Sequence, residues 1–422
     1  MAEWLKTIGL RAMPIWVVFA AALFFGADTP VASFVFSGTL LILAAAAIVW
    51  RRTAIGLPEL IVLILFLSFL VLARFRGWLA VGGYEYAALA ACGGVLIASR
   101  EAAYTARRAD SLILLALIAG SAIALLAFAD FMIDPGTQWG WPRPNRSDRL
   151  ATPFLSANTA AAFYGSLVLL GIGHLLRQIR RPRFQARASW FETGIRSIAL
   201  PSVCLIFTAT ALMLTVSRAG IALTVLCALI LVGWETFDAV RRRRGGPVPV
   251  WIVRAWLVLA VSLALAFAAS GGPLVDRFID PGDDGRRQLF SAYAQGLAYR
   301  PWLGHGLGGF AAFNDYVASA GNANRLQAQA AAHNIVLQWL IQGGVLGALA
   351  MFGTVAAIAG RLWVGLRQRR RQLTLLRTIL VVLFFMTAHG MVDYALEVPA
   401  IGWWLSWMLG LGLAIAVREE AG

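Results

Sequence analysis

Residues 197–237 read SIALPSVCLIFTATALMLTVSRAGIALTVLCALILVGWETF. The stretch is nearly unbroken apolar sequence. A bilayer core of about 30 Å is crossed by roughly 20 helical residues. Residues 197–237 are therefore long enough for two spans and leave no loop between them. Ser217-Arg218-Ala219-Gly220 falls at the midpoint, where Gly220 is expected to ease a tight reversal. That reading makes this a membrane protein and puts one guanidinium at a membrane surface.

The same pattern extends outward in both directions. Apolar stretches of spanning length occur near 9–27, 30–50, 57–74, 78–99, 111–130, 152–176, 197–216, 219–237, 251–270, 335–360, 374–392 and 399–417. The first resembles a signal peptide in having Lys6 and Arg11 before an apolar run, but no soluble domain follows and it reads as a span. The 422 residues are 60% hydrophobic and 14% charged, against about 45–50% and 25% in soluble domains. A soluble enzyme, a disulfide scaffold and a disordered chain are excluded. Cys92, Cys204 and Cys227 all lie in apolar segments without metal spacing. The expected fold is an all-α polytopic membrane protein, residues 1–422 forming one membrane domain of about 12 transmembrane helices with one large folded extracytoplasmic loop.

The net charge is +15, and Lys6 is the one lysine among 36 basic residues. Such a balance often points to nucleic acid. Here the arginines sit in short runs between spans, so nucleic acid is rejected and the runs are read as topology signals. Lys6, Arg11 and the arginines at even-numbered span ends, including Arg177, Arg180, Arg241 to Arg244 and Arg377, outnumber the other side by 25 to 11. Both termini are expected in the cytoplasm. The outnumbered set, which includes Arg143, Arg146, Arg149, Arg218, Arg286, Arg287 and Arg300, is not needed there for insertion and calls for another reason.

Two outer connections stand out. Residues 131–151 are rich in Trp, Pro and Arg, and residues 271–334 form a far longer excursion between the ninth and tenth spans. Long loops are usually functional or disordered. Leu289, Phe290, Tyr293 and Leu297 recur at helical spacing, so a folded cap is expected.

The candidate chemistry gathers at this outer face. Arg218 has no companion charge in its turn, and ionisable groups embedded between spans are functional candidates; a snorkelling arginine is the plain alternative. Arg286 and Arg287 follow Asp283-Asp284-Gly285 at the start of a helical pattern, a setting suited to phosphate. The two aspartates either neutralise those arginines or, more weakly, suggest a divalent cation. Gly304-His305-Gly306-Leu307-Gly308-Gly309 is no dinucleotide loop, having no strand before it; its glycines let the backbone turn tightly onto the bundle or approach a ligand. His333 precedes Asn334 and Gln338, which share a helical face. A helix N-terminus favours the neutral imidazole, the form a general base needs, although His333 could equally be a plain helix cap. His305 is its one serious competitor. Asn158 lies near the same face, while Asp393 and Glu397 in the last outer turn either balance the arginines, orient His333, or sit in a solvated turn.

Taken in order, these motifs resemble the superfamily of bacterial O-antigen ligases, O-antigen polymerases and related exopolysaccharide polymerases. Ser217-Arg218-Ala219-Gly220 resembles its Ser-Arg-Gly-type motif between two spans. Arg286 with Phe290 and Pro301-Trp302-Leu303-Gly304-His305-Gly306 resembles its arginine, aromatic and Pro-x-x-Gly-x-Gly series, with phenylalanine standing where tryptophan is usual. Ala332-His333-Asn334 through Gln338 and Gly343-Gly344 resembles its His-Asn segment. Leu155-Ser156-Ala157-Asn158 resembles an upstream asparagine motif. The likeness is good over 150–415; before that it rests on span count.

The resemblance implies an inner-membrane glycosyltransferase that draws a glycan from undecaprenyl diphosphate on the periplasmic side and needs no metal or other cofactor. It further implies that Arg218, Arg286 and His333 carry the reaction. Arg218, Arg286 and Arg287 would hold the diphosphate, with Asn158, Ser217, Gly304, Gly306, Asn334, Gln338 and Asp393 binding substrate or supporting the site. Partners would be the lipid-linked donor, a glycan or lipid A–core acceptor, membrane lipids, and proteins of polysaccharide assembly and export. A polymerase of O-antigen or exopolysaccharide repeat units is the preferred expectation and a ligase the alternative. A transporter is the rival of a different class, for which broken spans and midplane charges would speak.

Overall fold

A computed structural model describes residues 9–49, 83–142, 149–180, 195–242, 286–319, 321–327, 329–369 and 372–417, with a few isolated positions between 250 and 260. The expected spans at 57–74 and, for most of its length, 251–270 lie outside the described residues, as do Asp283, Asp284, Arg143 and Arg146.

The described chain is a helical bundle. In order it contains α1 (Met13–Leu23), α2 (Pro30–Val49), α3 (Gly83–Ala102), α4 (Ala106–Ile133), a hairpin of β1 (Thr137–Gln138) and β2 (Trp141–Pro142), α5 (Ala157–Ile179), α6 (Ile195–Leu214) and α7 (Arg218–Arg242). After these come α8 (Arg286–Gly296), α9 (Phe310–Val317), α10 (Ala323–Leu326), α11 (Ile335–Gln368), α12 (Leu373–Gly390) and α13 (Pro399–Val417). Seven of these helices, α2, α4, α5, α7, α11, α12 and α13, are long and apolar enough to cross a bilayer. The first expected span is shorter than its apolar stretch: α1 has eleven residues and is flanked by 3-10 turns.

Burial separates the centre from the rim. In α5, 94% of the apolar window is buried, against 22% in α2, so α5 meets protein on all sides while α2 turns most of its apolar surface outward. That is how a helix facing hydrocarbon looks. The centre is built on α13, whose Trp403, Trp404 and Trp407 are fully buried. Buried indoles need acceptors. Trp403 donates to the Ala88 carbonyl on α3 and Trp404 to the Ser166 hydroxyl on α5, which ties three helices together with polar contacts inside an apolar core.

The reversal between α6 and α7 is as tight as expected but is made differently. It occupies Thr215–Ser217, and the left-handed residue is Val216 (φ +47), not glycine. Gly220 already lies inside α7, where an added Cβ would come within 2.6 Å of Ala161. Gly220 therefore serves close packing against α5.

At the far ends of these helices sits an ionic layer. Arg377 donates to Glu235 and Asp238 at 2.9 Å each, Arg180 also pairs with Glu235, and Arg177 pairs with Asp110. Arg218 and Glu235 are separated by 17 positions on α7, roughly 26 Å at 1.5 Å per residue. Two polar layers thus bracket an apolar slab of about bilayer thickness.

The described part of the cap is folded. Leu289, Tyr293, Phe310, Phe313, Leu326 and Ala332 form a core that includes Ile341 of α11. The Tyr293 hydroxyl donates to Asn314, whose amide donates to the Leu326 carbonyl. Beneath it, α11 is broken at Gly344 (φ +60, ψ −164). Residues 301–306 run alongside the break: His305 N–H and Gly306 N–H donate to the Ile341 and Gln342 carbonyls, while Val345 N–H and Leu346 N–H donate to Pro301 and Trp302. Each helix end would leave backbone groups unsatisfied, and here the cap supplies the missing partners.

Candidate active site

His333 is placed by the way the cap feeds into α11. Asn334 caps the helix, its side-chain oxygen accepting from Val336 N–H and Leu337 N–H at 3.0 Å, and its amide donates to the Met391 carbonyl. Gln338 reaches back and accepts from Ala332 N–H at 2.7 Å. The two amides clamp the residues on either side of His333, which is left in a left-handed conformation (φ +53). Such a conformation costs a non-glycine residue of order 1–3 kcal/mol and persists when its surroundings over-determine it.

The imidazole faces Asp393 from the α12–α13 turn. Its Nδ1 lies 3.8 Å from Asp393 Oδ2, and a closure of under about 1 Å makes a hydrogen bond. The ring stands edge-on to Tyr394 with centroids 4.9 Å apart. Asn158 donates to the same Asp393 oxygen at 2.8 Å and accepts from Arg149 at 2.7 Å. A second nitrogen of Arg149 donates to the Thr215 carbonyl at 2.8 Å, just before Ser217-Arg218. The orientation of the Asn158 amide follows from chemistry: a guanidinium only donates and a carboxylate only accepts. One continuous polar chain therefore runs from the α6–α7 turn through Arg149, Asn158 and Asp393 to His333.

Asp393 is buried. Burial alone pushes its carboxyl up, but the contact with His333, the charge of His389 and the bond from Asn158 outweigh it and hold the carboxyl below its ordinary value. His333 thus has an ionised partner on its Nδ1 side.

His333, Asn334, Gln338, Asp393, Tyr394 and Glu397 line one small pocket, with room for about a single water-sized group.

The other expected site residues lie elsewhere than in the lining of this pocket or outside the described residues. Ser217 is buried and its hydroxyl accepts from Gly220 N–H at 3.3 Å, capping α7. Arg218 heads α7 and is half-buried. Arg286 and Arg287 open α8, and their side chains lie outside the described residues. Gly304 and Gly306 do not line the pocket. They seat the cap segment 301–306 in the break of α11, where a Cβ on Gly304 would lie 2.5 Å from Gly344 N; the close approach they permit is to the protein's own backbone. His305 packs on Phe313 at 4.9 Å and lines a different place. Burial and the charge of Arg300 both push its imidazole below the ordinary value.

Three contributors were not singled out from the sequence. Arg149 was visible only as one of the outer arginines, Gln342 as a polar residue in a span, and His389 as a histidine inside one. No recognised motif spacing marks them: His389 acts on Asp393 four residues on, Arg149 on Asn158 and Thr215, and Gln342 on Glu397 across 55 residues.

Residues 203–352 match a protein-family model described as O-antigen ligase. This segment runs from α6 through α7 and the cap into α11; it includes Ser217, Arg218, Arg286, Gly304, Gly306, His333, Asn334 and Gln338, while Arg149, Asn158 and Asp393 fall outside it. No protein of curated function matches the chain. This match is borne by a bundle of apolar helices, and over residues 203–352 the chain is similar to the O-antigen ligase family.

Proposed function

We propose that the protein transfers a glycan from undecaprenyl diphosphate to a sugar hydroxyl on the periplasmic side of the inner membrane, as a polymerase of O-antigen or exopolysaccharide repeat units. The observation that carries the reading is the chain of contacts from Arg149 through Asn158 and Asp393 to His333. It supports an imidazole acting as base beside a cationic turn.

In this mechanism His333 accepts the proton of the attacking hydroxyl. The hydroxyl oxygen bonds to the anomeric carbon as that carbon's bond to the diphosphate oxygen breaks, with inversion. Undecaprenyl diphosphate leaves with the bonding pair. Arg218, with Arg286 and Arg287 from the cap, stabilises the growing negative charge. A guanidinium–phosphate contact at about 4 Å contributes roughly 4 kcal/mol at an effective dielectric near 20. Contacts of this kind accelerate the step to the extent that they tighten in the transition state. Asp393 orients the ring and stabilises the imidazolium. The cap covers the site and excludes water, which would hydrolyse the donor.

A ligase, which moves the glycan onto lipid A–core, is the second reading, and the description of the matching family favours it. The two share donor chemistry. A transporter draws support from the break in α11, but that break is filled by residues 301–306 and opens no path for a ligand. Purified protein incubated with lipid-linked repeat units alone, then with added lipid A–core, tests the choice. Long chains without core indicate a polymerase, products only with core a ligase, and no transfer under either condition removes the enzyme reading.

A further inference from the structure

Two carboxyl groups, Asp393 and Glu397, line the pocket around His333. Asp393 is engaged by Asn158, which in turn is held by Arg149. Glu397 is held between amides: Gln342 donates to its Oε2 at 3.1 Å, and Gln338, whose oxygen is taken by Ala332 N–H, turns its NH₂ end towards the same carboxyl. A diphosphate is repelled by a carboxyl group and attracted by a guanidinium. A neutral polyol has no such preference and is well matched by a carboxyl, two carboxamides and the ring of Tyr394 on one rim. Glu397 and its two carboxamides thus put a hydroxyl-binding group in the same pocket as His333.

We infer that Glu397 is the acceptor-positioning residue, binding a sugar hydroxyl next to the one that His333 deprotonates, and so selecting acceptors with a second hydroxyl beside the attacking oxygen. The inference rests on the proposed transfer reaction and adds the acceptor's binding group to it. Three features support it. Glu397 follows Asp393 by one short 3-10 turn, Ala395–Glu397, so the group that orients the base and the group that orients the acceptor sit on one rigid reversal. Both Gln338 and Gln342 lie on α11 directly after His333, which fixes the carboxyl relative to the imidazole. Burial, opposed by the two glutamine bonds and reinforced by Glu85, pushes the Glu397 carboxyl up to about 7, so slightly above neutral pH it is ionised and accepts from a hydroxyl more strongly than a carboxamide does.

The competing explanation is that Glu397 only fastens α11 to the α12–α13 turn. Steady-state kinetics of purified protein separates the two. The donor is the strain's own lipid-linked repeat unit. The acceptor is the same repeat unit released from lipid and fluorescently tagged, or lipid A–core if the wild type transfers only to that. In Glu397→Gln, which keeps the amide contacts possible, the acceptor KM should rise about tenfold, the equivalent of one lost hydrogen bond. The donor KM and the melting temperature should stay within twofold and 2 °C, roughly the resolution of such measurements. Glu397→Ala should raise the acceptor KM further. An unchanged acceptor KM in Glu397→Gln, or donor and acceptor KM rising together with a lower melting temperature, overturns the inference. If Glu397→Ala does not fold, Glu397→Gln alone decides. His333→Ala run in parallel keeps the two readings apart: an active His333→Ala protein sinks the transfer mechanism, whereas an inactive one beside an unchanged Glu397→Gln sinks only the role of Glu397.

Discussion

His333 is the residue at which local strain, polar contacts and pocket meet. Its left-handed backbone is clamped by Asn334 and Gln338, and its Nδ1 faces a carboxyl held below the ordinary range by His333, His389 and Asn158 despite burial. For a depressed carboxyl the sign is simple: the charge is present above the ordinary value and lost only as pH falls through the lowered one. Asp393→Asn should therefore reduce kcat by on the order of 10²-fold or more, as loss of an orienting partner does, measured near pH 8, well above the ordinary carboxyl value near 3.9. A rate within a few-fold of wild type there would remove the orienting role of Asp393. Arginine chemistry is tested at the same scale. Arg218→Ala and His333→Ala should leave an inserted protein that transfers no glycan, read from glycan profiles of complemented cells. Arg286→Lys should lose far more than its retained charge suggests, because lysine lacks the paired donors of the guanidinium fork; full activity in that variant argues against paired phosphate contacts. Among these residues Arg218, His333, Asn158 and Asp393 were readable one by one as polar groups at one face. Arg149 was not, because what distinguishes it from other outer arginines is a bond to Asn158 and a bond to Thr215, which no local pattern encodes.

The helix α11 shows the same division at the level of an element. Its apolar run predicted a single span, and the glycines near 304 and 344 were separate features of the sequence. In the structure they are two halves of one joint. Gly344 breaks the helix, residues 301–306 enter the break, and backbone meets backbone with no room for a side chain: a Cβ on Gly344 would lie 2.4 Å from Leu303 N. Gly344→Ala combines that clash with a left-handed φ, so the joint should open at a cost of more than about 2 kcal/mol. Gly304→Ala should behave alike. Gly353→Ala, on the same helix with nothing within 4 Å of its added Cβ, should be neutral or slightly stabilising. Melting of the three variants in detergent, with yield of monodisperse protein as a second readout, checks this; equal stability of all three would mean that the joint contributes nothing.

At the scale of the whole molecule, two polar layers at opposite ends of α5, α7 and α12 enclose an apolar slab. The arginines that the charge count put on one side, Arg177, Arg180 and Arg377, are in one layer, and Arg149 and Arg218 are in the other. Glu235 is fully buried beneath Arg377 and Arg180. Removing one partner of a buried pair leaves an uncompensated charge, at roughly 3–5 kcal/mol. Glu235→Ala should accordingly lower the melting temperature markedly while leaving donor and acceptor KM unchanged, since the layer is remote from His333; altered KM values with normal stability would tie this end to the reaction instead.

The amino-acid sequence by itself determined that the chain is a bundle of apolar helices, roughly where those helices lie, and which ionisable residues were out of place among them. Those properties depend on runs of 20 or so neighbouring residues and on the energy of moving each from water to hydrocarbon. Only the tertiary structure decided that Val216 and not Gly220 makes the reversal, that the cap's glycines mend a broken helix, and that Arg149, Asn158, Asp393 and His333 form one chain of contacts, with Glu397 lining the same pocket as His333. Those facts depend on groups brought together from different helices and loops, up to 235 residues apart for Asn158 and Asp393, and the energy that selects them is released only when the helices pack.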